Sequence, residues 1–141
     1  MSAEEKNTWI YAVISFAAYV AYLGIVAERA QGTPIADVAY IWPLIWSFVA
    51  MMVAMIAGRI IVRMLWRGEP LLPDERDREI DRCGYRIGFT IGGLAMVAGM
   101  ILAMVEVDYF WIANAIYFGC FLSGFIGAVV KILVYRRGFA R

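Results

Sequence analysis

Four apolar runs of about 20 residues each constrain this chain more than any other feature of its sequence. They cover roughly residues 8–27, 38–58, 87–105 and 110–130, and none of them contains a charged residue. With a helical rise of about 1.5 Å per residue, each run can cross a hydrocarbon core of about 30 Å. We therefore expect an all-α integral membrane protein, a single four-helix bundle with helices at about residues 8–29, 37–67, 74–106 and 110–136.

The positions of lysine and arginine predict how these helices are oriented. Of the 13 Lys and Arg residues, only Arg29 lies between the first and second runs; the others precede the first run, separate the second from the third, or follow the fourth. Positively charged segments of membrane proteins stay on the cytoplasmic side. Both termini and the central charged segment are therefore expected in the cytoplasm. The amino terminus has no signal-peptide cleavage pattern, so we expect the first helix to be retained.

The segment between the second and third runs is the most highly charged part of the chain, with nine charged residues in the thirteen positions from Asp74 to Arg86. Pro73 followed by Asp74 is typical of a helix start with Asp74 as the N-cap. The third helix is thus expected to begin in the cytoplasm. Helical spacing then separates the charges into an acidic row and a basic row, which are Asp74, Asp77 and Asp81, and Arg78, Arg82 and Arg86.

A second basic row is expected at the end of the second helix, where Arg59, Arg63 and Arg67 recur every four residues. Matching their heights above the membrane with those of the acidic row predicts a charged helix-turn-helix extension that joins two helical hairpins. The predicted ion pairs are Arg63 with Asp81 and Arg67 with Asp77. We expect this extension to contact a protein partner through Arg59, Arg63, Arg67, Asp74, Asp77, Asp81, Arg78 and Arg82. A solvated connector without a partner is the alternative.

Small residues recur at about every fourth position on the third and fourth helices. Lipid provides little hydrophobic drive between helices, so association depends on the close backbone approach that such residues permit. The predicted packing positions are Gly84, Gly88, Gly92, Gly99, Gly119, Ser123 and Gly127. The spacing does not distinguish packing within the chain from packing between two copies, and we expect a homodimer.

The chain offers little material for catalysis. It has no histidine, and the apolar runs contain no ionisable carboxylate that could couple transport to protons or ions. We predict no catalytic residue, cofactor, metal site or nucleic-acid partner. The expected function is a non-enzymatic regulatory, accessory or scaffolding subunit, in contact with the lipid bilayer and a protein partner. The alternative is a small dimeric transporter or channel with the third and fourth helices around a path.

Two segments, DERDREIDRCGYRIG and DYFWIANAIYFGCFLSGFIGAVVKILVYRRGF, resemble a group of small four-helix membrane proteins common in actinobacteria. That group has a similar Asp-Glu-Arg-Asp inner loop and a Phe-Trp-Ile-Ala-Asn-Ala entry into the last helix. The resemblance extends to WIYAVISFAAYVAYL and PIADVAY near the amino terminus. It implies a bacterial plasma-membrane location and association with small helix-turn-helix regulators, and it carries over no catalytic residue. Cys83 departs from the pattern, since a larger or polar residue is expected there.

Overall fold

The computed structural model describes residues 3–65 and 75–137, which form four long α-helices. These are α1 (Ala3–Arg29), α2 (Ile41–Leu65), α3 (Glu75–Met104) and α4 (Tyr109–Arg137). Each is long and apolar enough to cross a membrane. The expected all-α class with four membrane-length helices is therefore confirmed for the described part of the chain.

The start of α2 differs from the sequence expectation. Ile35–Asp37 forms a separate short 3-10 helix, and Val38 after it is extended, so α2 begins at Ile41 instead of near residue 37. Pro43 then falls in the first turn of α2. A proline is tolerated there because the first backbone N–H groups of a helix have no partner within the helix.

A tight turn joins α3 to α4. The backbone N–H of Val107 donates to the carbonyl of Leu102, and that of Glu106 donates to Ala103, both at 3.2 Å. This pair of hydrogen bonds is the Schellman arrangement that ends many helices. Glu106 occupies the left-handed position with φ of 55°, where glycine is usual. The turn leaves four residues between the helices, so α3 and α4 form a close antiparallel hairpin.

The four helices pack in the spatial order α2, α1, α4, α3. Extensive contacts join α3 to α4, and α1 lies against both α2 and α4. In the described part of the chain, α2 and α3 scarcely touch, although they are consecutive in the sequence. The bundle is therefore two hairpins joined through α1 and α4, and it is open along the side between α2 and α3.

Glycines bring the backbones of α3 and α4 into direct contact. A Cβ atom on Gly88 would lie 2.7 Å from the carbonyl oxygen of Ser123, and one on Gly127 would lie 3.1 Å from that of Gly84. The Ser123 hydroxyl donates a hydrogen bond of 2.7 Å to the Gly88 carbonyl. Farther along, Gly99 faces Ile116. The same contact surface includes Gly92 against Ser123 and Gly119 against Ala95.

We call the end of the bundle that holds both chain termini the terminal end, and the opposite end the distal end. The distal core contains the aromatic cluster, made of Tyr19, Tyr22, Tyr117 and Phe121. Its rings contact one another, with Tyr19 stacked on Phe121 at 4.2 Å between centroids. Tyr22 donates a 2.6 Å hydrogen bond to Asn114, and the hydroxyls of Tyr117 and Ser47 are 2.8 Å apart. These contacts join α1, α2 and α4.

Enlarging Gly88 tests the backbone contact between α3 and α4. We expect Gly88→Ala to lower the free energy of unfolding in detergent by about 1–3 kcal/mol, because its methyl group would overlap the Ser123 carbonyl. The matched control is Gly93→Ala on the same helix, where an added Cβ meets nothing within 4 Å. That change should be neutral or stabilising by up to about 1 kcal/mol, since alanine favours helix. Equal losses in the two variants would contradict the packing role.

Candidate functional site

At the terminal end, the acidic row of α3 faces α4. The Tyr135 hydroxyl donates a 2.8 Å hydrogen bond to Asp77, and Lys131 forms an ion pair with Asp81. The guanidinium of Arg76 also donates to the Tyr135 carbonyl at 3.4 Å. These three links attach the first two turns of α3 to the last turns of α4.

Gly84 makes the ion pair of Lys131 possible. A Cβ on Gly84 would lie 2.7 Å from Cε of Lys131, so the lysine stem passes directly over this glycine on its way to Asp81. The Asp81 side chain is 70% exposed and that of Lys131 is 25% exposed. An ion pair this open to solvent contributes only about 0–1 kcal/mol to stability. Its main effect is to fix where the two charges lie.

The sequence prediction for the acidic row anticipates neither Lys131 nor Tyr135. Its expected partners, Arg63 and Arg67, lie outside the described side chains, as does the proposed N-cap Asp74, so the predicted clasp stays a prediction. A signal for the observed pairs is present in the sequence. Lys131 and Tyr135 are four residues apart, as are Asp77 and Asp81, and antiparallel helices place two such pairs at matching heights.

The basic residues of the prediction are placed differently from the acidic ones. Arg78 and Arg82 are exposed on α3, and Arg59 is exposed on α2. Among the described residues, none of the three forms an ion pair. Asp77 and Asp81 are thus engaged by α4, whereas these three basic side chains are exposed and border a cavity.

A cavity of about 550 Å³ lies between the two hairpins, where α2 and α3 separate. All four helices line it. Its wall is apolar at Ile10, Met55, Ile56 and Phe89, and it is bare of side chains at the glycines of the α3–α4 contact. Toward the terminal end the lining becomes polar, with Asn7, Thr8, Arg59, Asp81 and Lys131. We call this cavity the cleft.

A second, smaller cavity of about 270 Å³ adjoins the cleft at the terminal end. The two share Thr8, Arg59, Asp81 and Lys131. The smaller cavity adds Asp77, Arg78, Arg82 and Tyr135 to the lining. Together they form a continuous depression that is apolar inside and highly charged at its mouth.

One polar atom in the cleft has no hydrogen-bond partner. The Oδ1 atom of Asn7 is buried, and nothing among the described residues donates to it. Leaving a buried acceptor unpaired costs about 1–3 kcal/mol. Asn7 lies near the polar mouth, because Ile10, one turn farther along α1, is in contact with Gly58, the neighbour of Arg59.

The described residues contain no arrangement that indicates catalysis by a metal. No three Asp, Glu, Cys or His side chains among them lie close enough to hold an ion. The cleft instead combines cations, an orphan acceptor and apolar walls. Such a combination can bind an amphipathic molecule or present a charged surface to a partner.

Comparison of the chain with protein-family models, with curated proteins and with solved structures finds no match.

Removing the Tyr135 hydroxyl tests the link between the ends of α3 and α4. We expect Tyr135→Phe to increase amide hydrogen exchange in the first two turns of α3, because Asp77 loses a donor across the helix pair. Hydrogen exchange of residues 75–82 in detergent or nanodiscs measures this. The matched control is Tyr109→Phe, which changes an exposed tyrosine at the other end of α4. Unchanged exchange in Tyr135→Phe would show that the link does not hold α3.

Proposed function

We propose that this chain is a non-enzymatic integral protein of a bacterial plasma membrane that acts as a regulatory, accessory or scaffolding subunit. Its helices cross the bilayer with both termini in the cytoplasm, as the distribution of Lys and Arg favours. The terminal end then lies on the cytoplasmic side, where it meets a protein partner. A homodimer is part of the proposal, and the apolar outer faces of α2 and α3 are available for it.

One observation carries this proposal, namely the unequal use of the two charged rows on α3. Asp77 and Asp81 are engaged by Tyr135 and Lys131, whereas Arg78 and Arg82 are exposed. The links to α4 hold the first turns of α3 in place, so the basic side chains project from a fixed backbone. A surface that is ordered before binding loses less entropy when a partner docks. Its positive charge favours an acidic partner and raises the association rate.

Charge reversal at Arg78 tests the contact. We expect Arg78→Glu to reduce the amount of partner that co-purifies after mild detergent extraction by at least about tenfold, since one close charge pair across an interface is replaced by a repulsion. Tandem purification from the native membrane, followed by mass spectrometry of the bound polypeptides, measures this. Arg82→Glu should have a similar effect.

Arg137→Glu is the matched control for these variants. It makes the same change of charge at an exposed residue on the same side of the membrane, at the end of α4. A loss of partner in Arg137→Glu equal to that in Arg78→Glu would point to net charge or topology instead of a specific surface. Retention of every partner in both α3 variants would contradict the proposal.

A second candidate, a small dimeric transporter or channel, is favoured by the cleft. The described lining of the cleft becomes polar toward the terminal end, and the aromatic cluster closes the bundle at the distal end, as a carrier open to one side would require. The tight contact of Gly88 with Ser123 leaves no path directly between α3 and α4, so a path would run beside them along the cleft. Substrate-dependent flux by purified protein in liposomes would establish this candidate over the first.

A further inference from the structure

The charge balance at the mouth of the cleft favours an anion. Among the described residues, the two adjoining cavities are lined by four basic residues, Arg59, Arg78, Arg82 and Lys131, and by two acids, Asp77 and Asp81. The difference, four minus two, is a net charge of +2. Both acids already interact with α4, so the positive potential is directed into the mouth. A phosphate group is suited to such a site, because its oxygens accept several charge-assisted hydrogen bonds from Arg and Lys.

The inner part of the cleft favours a hydrocarbon chain. Ile56 and Phe89 line it from α2 and α3, and both side chains are also exposed at the surface of the bundle. Since α2 and α3 scarcely touch, the cleft opens sideways between them. In a bilayer that opening faces the acyl chains. A molecule with a charged head and an apolar tail can therefore enter the cleft from the membrane, with its tail in the gap between α2 and α3.

Because the Oδ1 atom of Asn7 is unpaired among the described residues, a ligand with a hydrogen-bond donor in its head group suits the cleft better than one without. A phosphate at neutral pH presents mainly acceptors, so it cannot satisfy Asn7 Oδ1. After a change of its side-chain rotamer, Asn7 can accept a hydrogen bond from a hydroxyl on the same head group. Asn7 lies beside the cationic mouth, so one head group can supply both the anion and the hydroxyl.

We propose that the cleft is a binding site for one anionic phospholipid whose head group carries a free hydroxyl. The phosphate binds Arg59 and Lys131, the hydroxyl donates to Asn7, and one acyl chain lies between α2 and α3. This inference depends on the proposed membrane insertion, and it does not depend on the proposed partner. The proposed site needs no polybasic segment, because Arg59 and Lys131, which bind the phosphate, come from two different helices.

The test uses full-length protein in nanodiscs of phosphatidylcholine that contain a minor fraction of phosphatidylglycerol. Incorporation into nanodiscs tests whether the protein inserts into a membrane. Native mass spectrometry then measures which lipid stays bound to the protein, and so tests the binding site. We expect phosphatidylglycerol to be retained at least about tenfold more than phosphatidylcholine, as charge-assisted hydrogen bonds predict. Phosphatidic acid, which lacks the head-group hydroxyl, should be retained less than phosphatidylglycerol. Equal retention of phosphatidylglycerol and phosphatidylcholine would overturn the proposal.

Two variants at the same ion pair separate binding from structure. Lys131→Gln should reduce retention of phosphatidylglycerol about tenfold, because a ligand of the phosphate is lost. Asp81→Asn should increase it, because Lys131 is released from its carboxylate and the competing negative charge is removed. If the ion pair were purely structural, both variants would change the retention of phosphatidylglycerol in the same direction. Losses in both would therefore overturn the assignment of Lys131.

Two further measurements define the source of the ligand. Asn7→Leu should remove the preference for phosphatidylglycerol over phosphatidic acid, and an unchanged preference would exclude the hydroxyl contact. Glycerol phosphate without acyl chains should not displace the bound lipid, and full displacement would show a site for a soluble phosphate. If a cysteine introduced at Ile56 cross-links to a second copy whether or not phosphatidylglycerol is present, a protein helix occupies the gap and the proposal fails.

Discussion

The structure depends on the direct contact between the backbones of α3 and α4. In a bilayer, burying an apolar side chain between helices gains little over leaving it in lipid, so helices associate by packing and by hydrogen bonds. The glycines Gly84, Gly88 and Gly127 provide close packing, because they have no side chains to separate the two backbones. This closeness lets Ser123 donate a hydrogen bond to a backbone carbonyl of α3. The same closeness brings Lys131 across Gly84 to Asp81. The charge arrangement at the terminal end is thus a consequence of the glycines.

The two ends of the bundle differ because α3 contacts the rest of the molecule almost entirely through α4. At the distal end, Tyr22 and Tyr117 with their polar partners close the space among α1, α2 and α4. At the terminal end the described residues of α2 and α3 include no comparable set of side chains between the two helices, and the cleft lies there. The charged residues that line the two cavities lie at the same end. The charged surface of α3 and the opening between α2 and α3 therefore lie in one part of the molecule.

The sequence predicts the number and length of the helices well because these follow from long apolar runs, which depend only on local composition. It also identifies the small residues at which α3 and α4 meet, since a spacing of four places them on one helix face. The spatial order of the helices is harder to predict. Apolar residues surround each helix, so hydrophobic periodicity does not show that α1 packs against α4 and not α3.

The candidate site is only partly contained in the sequence pattern. Asp77 and Asp81 are recognisable from the density of charge around them, but their partners Tyr135 and Lys131 are 58 and 50 residues away. Two sets of residues have suitable heights for these acids, namely Arg63 and Arg67 on the second helix, and Lys131 and Tyr135 on the fourth. Helix spacing alone does not choose between them. No local pattern in the sequence predicts the cleft. It exists because α2 and α3 fail to meet, and the orphan acceptor of Asn7 becomes significant only when that space is known.

The aromatic cluster also sets the order in which the chain can be assembled during synthesis. The hydrogen bond from Tyr22 to Asn114 spans 92 residues, so α1 is made long before the helix that completes its core. Until α4 has been made and has packed against α1, the Tyr22 hydroxyl lacks this acceptor. The hairpin of α1 and α2 therefore cannot complete these polar contacts until α4 has been synthesised.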